Sequence, residues 1–228
     1  MKEPVFLNKY IFEIRYSPLI SVFDKRGEIL KNIWKPFEAK AKQWQVENVA
    51  VHIKDTMDNP SRYIYVSHLR AFIAYETPDT EEEFNNDAKK FLKLLIQTFP
   101  EIELLQRAGY RHVCFKGGAG EIDKYFSSIQ PWLTSPLPTT LPIDDAAVVL
   151  GHSNGRIAFG STKPTDGFLE KEFPNFEDSG EPNGLYIDVD SWAKDINLEK
   201  PAHLGSVFSA VQETTKATTK EIQQSLRW

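Results

Sequence analysis

Residues 10–16 read YIFEIRY. Side chains alternate along an extended chain, so Tyr10, Phe12, Ile14 and Tyr16 share one side and Ile11, Glu13 and Arg15 the other. A strand with so apolar a face must lie on a core. Beyond Ser17-Pro18 the spacing changes to three or four residues: Ile29, Ile33, Phe37, Ala41 and Trp44 form the stripe of a helix, which Pro36 kinks or restarts. Segments 46–53, 62–68 and 69–76 read as strands, the first two joined by the turn Asp58-Asn59-Pro60. Thr80 and Glu83 then make a capping box ahead of a helix bearing Phe84, Ala88, Phe91, Leu92, Leu95 and Phe99. Glu81 and Glu82 sit at its positive end and Lys89, Lys90 and Lys93 downstream, as the helix dipole favours.

The second half repeats this order. A strand is expected at 109–116 (GYRHVCFK), then a helix over roughly 121–133 behind a glycine-rich corner. Pro136, Pro138 and Pro142 stiffen a connector, and strands follow at 146–150 and 156–161. The joining residues His152-Ser153-Asn154-Gly155 contain an Asn-Gly pair suited to a tight hairpin. Segment 168–183, rich in acids, Pro and Gly, reads as a surface loop before a strand at 185–189, and a long helix closes the chain from about 203 to 226. Each half therefore runs strand, helix, three strands, helix. The clearest echo between them is Ile14-Arg15-Tyr16 against Tyr110-Arg111-His112. The expectation is an α+β protein of two pseudo-repeats, 1–106 and 107–228, with antiparallel-rich sheets backed by helices.

Three stretches resemble a sporadically distributed bacterial family of uncharacterised function. They are Phe12 to Asp24 (FEIRYSPLISVFD), the Arg-x-Gly-x-Arg-aromatic strand Arg107-Ala108-Gly109-Tyr110-Arg111-His112, and the apolar-Asp-x-Asp strand Tyr186-Ile187-Asp188-Val189-Asp190 ahead of a helix with Phe208. The resemblance spans most of the chain and departs from the pattern at His112 and Cys114. It implies a bacterial, intracellular, two-part protein and no particular chemistry.

Composition narrows the classes. The 228 residues are 41% hydrophobic and 26% charged, enough apolar material for a core, and the net charge of −5 provides no global field for a polyanion. Nucleic acid is thus disfavoured as the main partner. One thiol, Cys114, allows neither an internal disulfide nor a cysteine zinc site. The first ten residues lack the apolar run of a signal peptide, and no segment has the roughly 20 apolar residues of a membrane span. A cytoplasmic location without membrane association is the expectation.

Several residues could carry chemistry or binding. Gly117, Gly118 and Gly120 lie between a strand and a helix, where free backbone N–H groups can hold an anion, although the segment lacks the Gly-Lys-Ser/Thr ending of a phosphate loop. Asp188 and Asp190 project from one strand face and could share a divalent cation, or could simply be that strand's polar side. His112 and Cys114 also share a face, and an imidazolium beside a thiol would activate it, whereas a buried thiol is inert packing. Arg15, Arg107 and Arg111 could clamp carboxylates or phosphates, or serve as internal struts. The last helix carries Leu204, Val207, Phe208, Val211, Ile222 and Leu226 at helical spacing, interrupted by threonines of poor helix propensity. Its apolar stripe needs either the protein's own sheet or another chain, and Arg227-Trp228 adds an aromatic, cationic tip suited to an interface.

No complete catalytic constellation emerges, and no cofactor or resident metal is expected. The leading expectation is a non-enzymatic binding or regulatory subunit of a bacterial intracellular system, acting through a protein partner or a second copy. Its candidate binding residues are Arg15, Arg107, Arg111, Phe208, Ile222, Leu226 and Trp228. The alternatives are a metal-dependent phosphodiesterase or nuclease using Asp188 and Asp190, and a nucleic-acid-contacting module built on Arg and aromatic side chains.

Overall fold

The apolar side of YIFEIRY lies near the centre of one nine-stranded antiparallel sheet in the computed structural model, which describes residues 5–117, 147–162, 167–176, 184–198, 202–226 and 228. In chain order the strands are β1 (Val5–Tyr16), β2 (Gln43–Val46), β3 (Ala50–Lys54), β4 (Arg62–Ser67), β5 (Arg70–Glu76), β6 (Leu104–Gly117), β7 (Ala147–His152), β8 (Gly155–Thr162) and β9 (Gly184–Asn197). Across the sheet they stand in the order β2-β3-β4-β5-β1-β6-β9-β8-β7. A single sheet therefore runs through both halves of the chain. It is joined where β1 meets β6 in a register from Val5↔Gly117 to Arg15↔Arg107. The helix expected over 121–133 and the proline connector lie outside the described residues.

Two long helices, α3 (Glu81–Thr98) and α5 (Ala202–Ser225), cover one face of the sheet. That face takes Tyr10, Phe12, Ile14 and Tyr16 of β1, together with Ala108 and Tyr110 of β6. Aromatic rings tie the layers: Tyr10 stacks on Phe84 at 5.5 Å, and Phe208 meets Phe12 at 5.0 Å and Tyr110 at 5.9 Å edge-on. Such offset and edge-on pairs set the positive ring edge of one aromatic against the negative face of the next. Polar groups of α3 reach into the same core with partners, Tyr110 donating to Asn85 and Tyr75 to Asp87, each at 2.9 Å.

The cap expected for α3 is present, with the Glu83 amide donating to Thr80 Oγ1 at 3.0 Å. The threonines of α5 gain a reason from their place on it. Thr215 and Thr219 face the sheet and are buried, and their hydroxyls donate to carbonyls one turn back, Val211 and Thr215, at 2.9 and 2.8 Å. Thr215 Oγ1 also lies 3.0 Å from the Tyr110 carbonyl of β6. Small side chains with satisfied hydroxyls let this helix sit close to the strand despite their low propensity.

Some expectations change. Ile29, Ile33 and Phe37 are buried along a helical run comprising α1 (Arg26–Ile29), the wider turn Leu30–Trp34 and α2 (Lys35–Phe37), and Ala41 is buried just beyond it. Trp44 instead belongs to β2 and is 46% exposed, with its ring edge-on to Trp34. The expected strand 46–53 is in fact two, because the chain reverses at Glu47–Val49 and adds β2 as an outer strand. β6 and β9 each extend to 14 residues, well beyond the apolar stretches that announced them. The hairpin after β7 turns at Ser153-Asn154, and Gly155 is the first residue of β8, where a Cβ would collide with the His152 ring at 2.1 Å.

The segment read as a loop starts with the short helix α4 (Phe168–Glu172), and Leu169 and Phe173 bury themselves against Val113 and Phe115 on the other face of the sheet. Its acids masked an apolar anchor. Residues 177–183 of that segment lie outside the described residues. Among the described residues no helix is long and apolar enough to cross a membrane.

Phe208 is fully buried at the meeting of both helices with the sheet. Phe208→Ala is expected to lower the unfolding free energy by about 3–5 kcal/mol, read by urea denaturation followed by circular dichroism.

Candidate functional site

The two motif strands meet on the face opposite α3 and α5. On β6, Arg107, Gly109 and Arg111 are two apart and share that face; on β9, Asp188, Asp190 and Trp192 do the same. The register places Gly109 opposite Trp192 and Arg111 opposite Asp190. Arg111 reaches diagonally to Asp188, with Nε to Oδ1 at 2.8 Å and Nη2 to Oδ2 at 3.0 Å, a paired and planar contact. Its Nη2 also donates to Glu172 of α4 at 2.9 Å, and Lys9 of β1 lies 3.4 Å from the other oxygen of Glu172. Arg156 of β8 approaches Asp188 at 3.5 Å.

Gly109 makes the second pairing geometrically available. A Cβ there would lie 3.3 Å from Nε and Nη2 of Arg107 and 3.5 Å from Asp190 Oδ1. The Arg107 side chain lies across this bare stretch of backbone and reaches Asp190 at 2.6 Å, with its guanidinium 4.5 Å from the Trp192 ring centre. Arg-x-Gly-x-Arg against Asp-x-Asp is therefore a two-rung ladder in which the glycine gives passage to one of the guanidinium groups.

The side chains of Asp188 and Glu172 are 7% and 5% exposed. Burial alone would raise the Glu172 carboxyl, and the adjacent Arg111 and Lys9 outweigh it, holding this group below the ordinary carboxylate range. Burial raises Asp190, and Arg107 only partly opposes the shift. Arg111 is held charged more firmly than usual, its carboxylate partners overcoming the cost of burial.

The other candidate residues take separate places. Arg15 stands opposite Arg107 in the β1–β6 register but pairs at the surface with Glu13, at 2.8 Å, and takes no part in the carboxylate pairing of the ladder. Phe208 belongs to the main core, while Ile222 and Leu226 complete a second cluster with Cys114, Phe159, Leu185, Ile187 and Val189, against which Trp228 packs. Gly117 ends β6, and Gly118 and Gly120 lie outside the described residues. Among the described residues no three His, Cys, Asp or Glu side chains are grouped as a metal would need. Cys114 shares the helix-covered face with His112, but burial pushes its thiol up to about 12, with the Asp188 charge adding to the effect. Such a thiol is a packing group at neutral pH.

Two surfaces escaped the sequence reading. The first is an aromatic strip on the face opposite α3 and α5, where Tyr65 and Phe72 stack at 5.1 Å and Tyr63 meets Phe72 edge-on at the same distance, with His52 beside Tyr63. Arg70 stands 5.6 Å from the Tyr65 ring centre and Lys54 5.6 Å from that of Tyr63. Period-two spacing in β3, β4 and β5 was the available signal, but only the register brings the rings together. The second is a cavity on the opposite side of the sheet, lined by Tyr10, His112 and residues of α5.

In comparisons with known proteins, no family profile matches the chain and no curated protein is significantly similar to it.

Removing one member of a buried ion network leaves its partners charged and unpaired, which typically costs about 3–5 kcal/mol, whereas an exposed pair is worth less than about 1 kcal/mol. Arg111→Met is expected to destabilise the protein by the larger amount and Arg15→Met by the smaller, compared in parallel urea titrations.

Proposed function

We propose that the protein is a non-enzymatic binding subunit that acts through protein–protein contact, with a second copy of the chain as its partner. The observation that carries this reading is β7, the outer strand among the described residues. Its six residues, AVVLGH, contain no Lys, Arg, Asp, Glu or Pro, and Val149 and Leu150 are 57% and 49% exposed. Outer strands of stable monomers are usually guarded by charge, proline or a bulge, because their unpaired backbone groups are a template for another strand. An antiparallel pairing of two β7 strands about a two-fold axis sets no like charges opposite one another. It would also extend the apolar cluster, whose outer members Val148, Ile157 and Trp228 are only partly buried. The groups that a catalytic reading would use are engaged elsewhere: Asp188 and Asp190 in the ladder, and Cys114 in packing.

The division into halves 1–106 and 107–228 belongs to the same reading. In each, the first strand pairs with the last strand before the long helix, β1 with β5 and β6 with β9. This mirrored order about the β1–β6 seam supports a duplication, with β2 an addition to the first half. A dimer through β7 would then repeat, between chains, the antiparallel joining that β1 and β6 make within one.

Light scattering coupled to size exclusion, over a range of micromolar concentrations, tests the contact. The expected result is a dimer for the native chain and a monomer for Val149→Lys, with an unchanged circular dichroism spectrum showing that the fold is retained. A native chain that stays monomeric, or a variant that dimerises equally, would overturn this reading.

The aromatic strip favours a second reading, contact with single-stranded nucleic acid. Rings on a sheet face flanked by cations are the platform on which bases stack, each stacked base contributing about 1–3 kcal/mol. Anisotropy with a fluorescein-labelled single-stranded RNA should then show salt-sensitive binding that weakens about tenfold or more in Tyr65→Ala. Equal binding by the variant, or none by the native chain, removes this reading.

A further inference from the structure

Between α5, the start of α3 and the sheet lies a cavity of about 330 Å³, lined by Tyr10, Tyr110 and His112 at its floor, Thr215 and Thr219 along its wall, and Glu81, Lys216, Lys220 and Gln223 at its rim. Its size falls at the lower end of ligand pockets, about 300–1,000 Å³. Its lining combines a rigid aromatic base with converging polar groups. Tyr10 is fixed by stacking on His112 at 4.3 Å and on Phe84 at 5.5 Å, so only its edge and hydroxyl are left for the cavity.

The polar groups divide into those already satisfied and those left over. Tyr110 gives its hydroxyl to Asn85, Thr215 gives its own to main-chain carbonyls, and Lys216 pairs with Glu81 at 3.2 Å. Gln212 also donates to Glu81 at 3.4 Å, which closes the rim between α3 and α5. His112 Nε2 is 3.0 Å from Asn8 Oδ1, so it carries the proton and leaves Nδ1 as an acceptor. Burial lowers the His112 pKa to about 4, and the imidazole is therefore neutral at pH 7. The hydroxyl of Tyr10, a side chain only 7% exposed, and the ammonium of Lys220 at the mouth also have no partner among the described residues.

The Tyr10 hydroxyl keeps its access to the cavity, and both groups are free to bond a ligand there. Lys216, Lys220 and Glu81 sum to one positive charge at the rim, which selects a small anion over a cation or a neutral molecule. The acceptor on His112 selects a ligand that also carries a hydroxyl. We infer that this cavity is a binding site for a small organic anion, with its carboxylate or phosphate head held by Lys220 and the Tyr10 hydroxyl and a hydroxyl of the ligand donating to His112.

The site is independent of β7 and of the aromatic strip, so it stands or falls apart from either reading above. The test is isothermal titration of the full chain with two probes, 4-hydroxybenzoate for the carboxylate head and glycerol 3-phosphate for the phosphate head. Saturable one-to-one binding of one probe is expected, weakened at least tenfold in Lys220→Gln and in Tyr10→Phe, and the probe that binds identifies the head group. Circular dichroism melting of both variants checks that the fold is retained; if Tyr10→Phe is destabilised, the surface variant Lys220→Gln alone decides. No saturable binding of either probe at millimolar concentration, or affinity unchanged by Lys220→Gln, would overturn the inference.

Discussion

The pairing of β1 with β6 is the contact on which the remaining architecture depends. Each strand is bordered on both sides, β1 by β5 and β6, β6 by β1 and β9, so the seam joins the strands of the first half to those of the second. Its faces do different work. Even-numbered residues carry the aromatic core that anchors α3 and α5, whereas odd-numbered residues carry the charged ladder, the surface pair of Arg15 with Glu13, and the patch that α4 covers. A shift of register by one residue would exchange the two faces, burying charge and exposing aromatic rings. The buried ion pairs add to this discrimination, since Arg111 finds both Asp188 and Glu172 in a single alignment only.

Much of this was legible in the sequence where a single element's own pattern decides it. Alternation in YIFEIRY and in the Asp-x-Asp strand assigned faces correctly, and Thr80 and Glu83 marked the start of α3. Features that depend on neighbours in space were harder to read. β2 has four residues and no buried face, so Trp44 continued the helical rhythm of the preceding stripe. β6 and β9 run past their apolar centres because pairing with each other, not side-chain pattern, sustains their ends.

The candidate sites follow the same division. The sequence brought forward Arg107, Arg111, Asp188 and Asp190 as separate groups, each with a bland and a chemical interpretation, and their mutual pairing is a property of register. The role of Gly109 is likewise invisible until a side chain from two residues away lies across it. Tyr10 and His112 were noted for other reasons, one as core and one as a partner for Cys114. That they form the floor of a cavity depends on where α5 settles, and the small buried threonines of that helix determine how closely it does so.

The length of chain between paired strands also governs the order in which the fold can assemble. β3, β4 and β5 join through short turns and can pair as soon as they are made, and β1 can then dock on β5. The opposite edge of β1 must wait, because its partner β6 begins only at Leu104 and β6 in turn needs β9 from near the end of the chain. Contacts of such sequence separation slow folding, since the loop must be closed before the contact is gained. During synthesis the first half would stand for a time with the bare side of β1 open to strands of other molecules. Glu13 and Arg15, charged residues on that waiting strand, are then gatekeepers of the nascent chain as well as surface residues of the finished one.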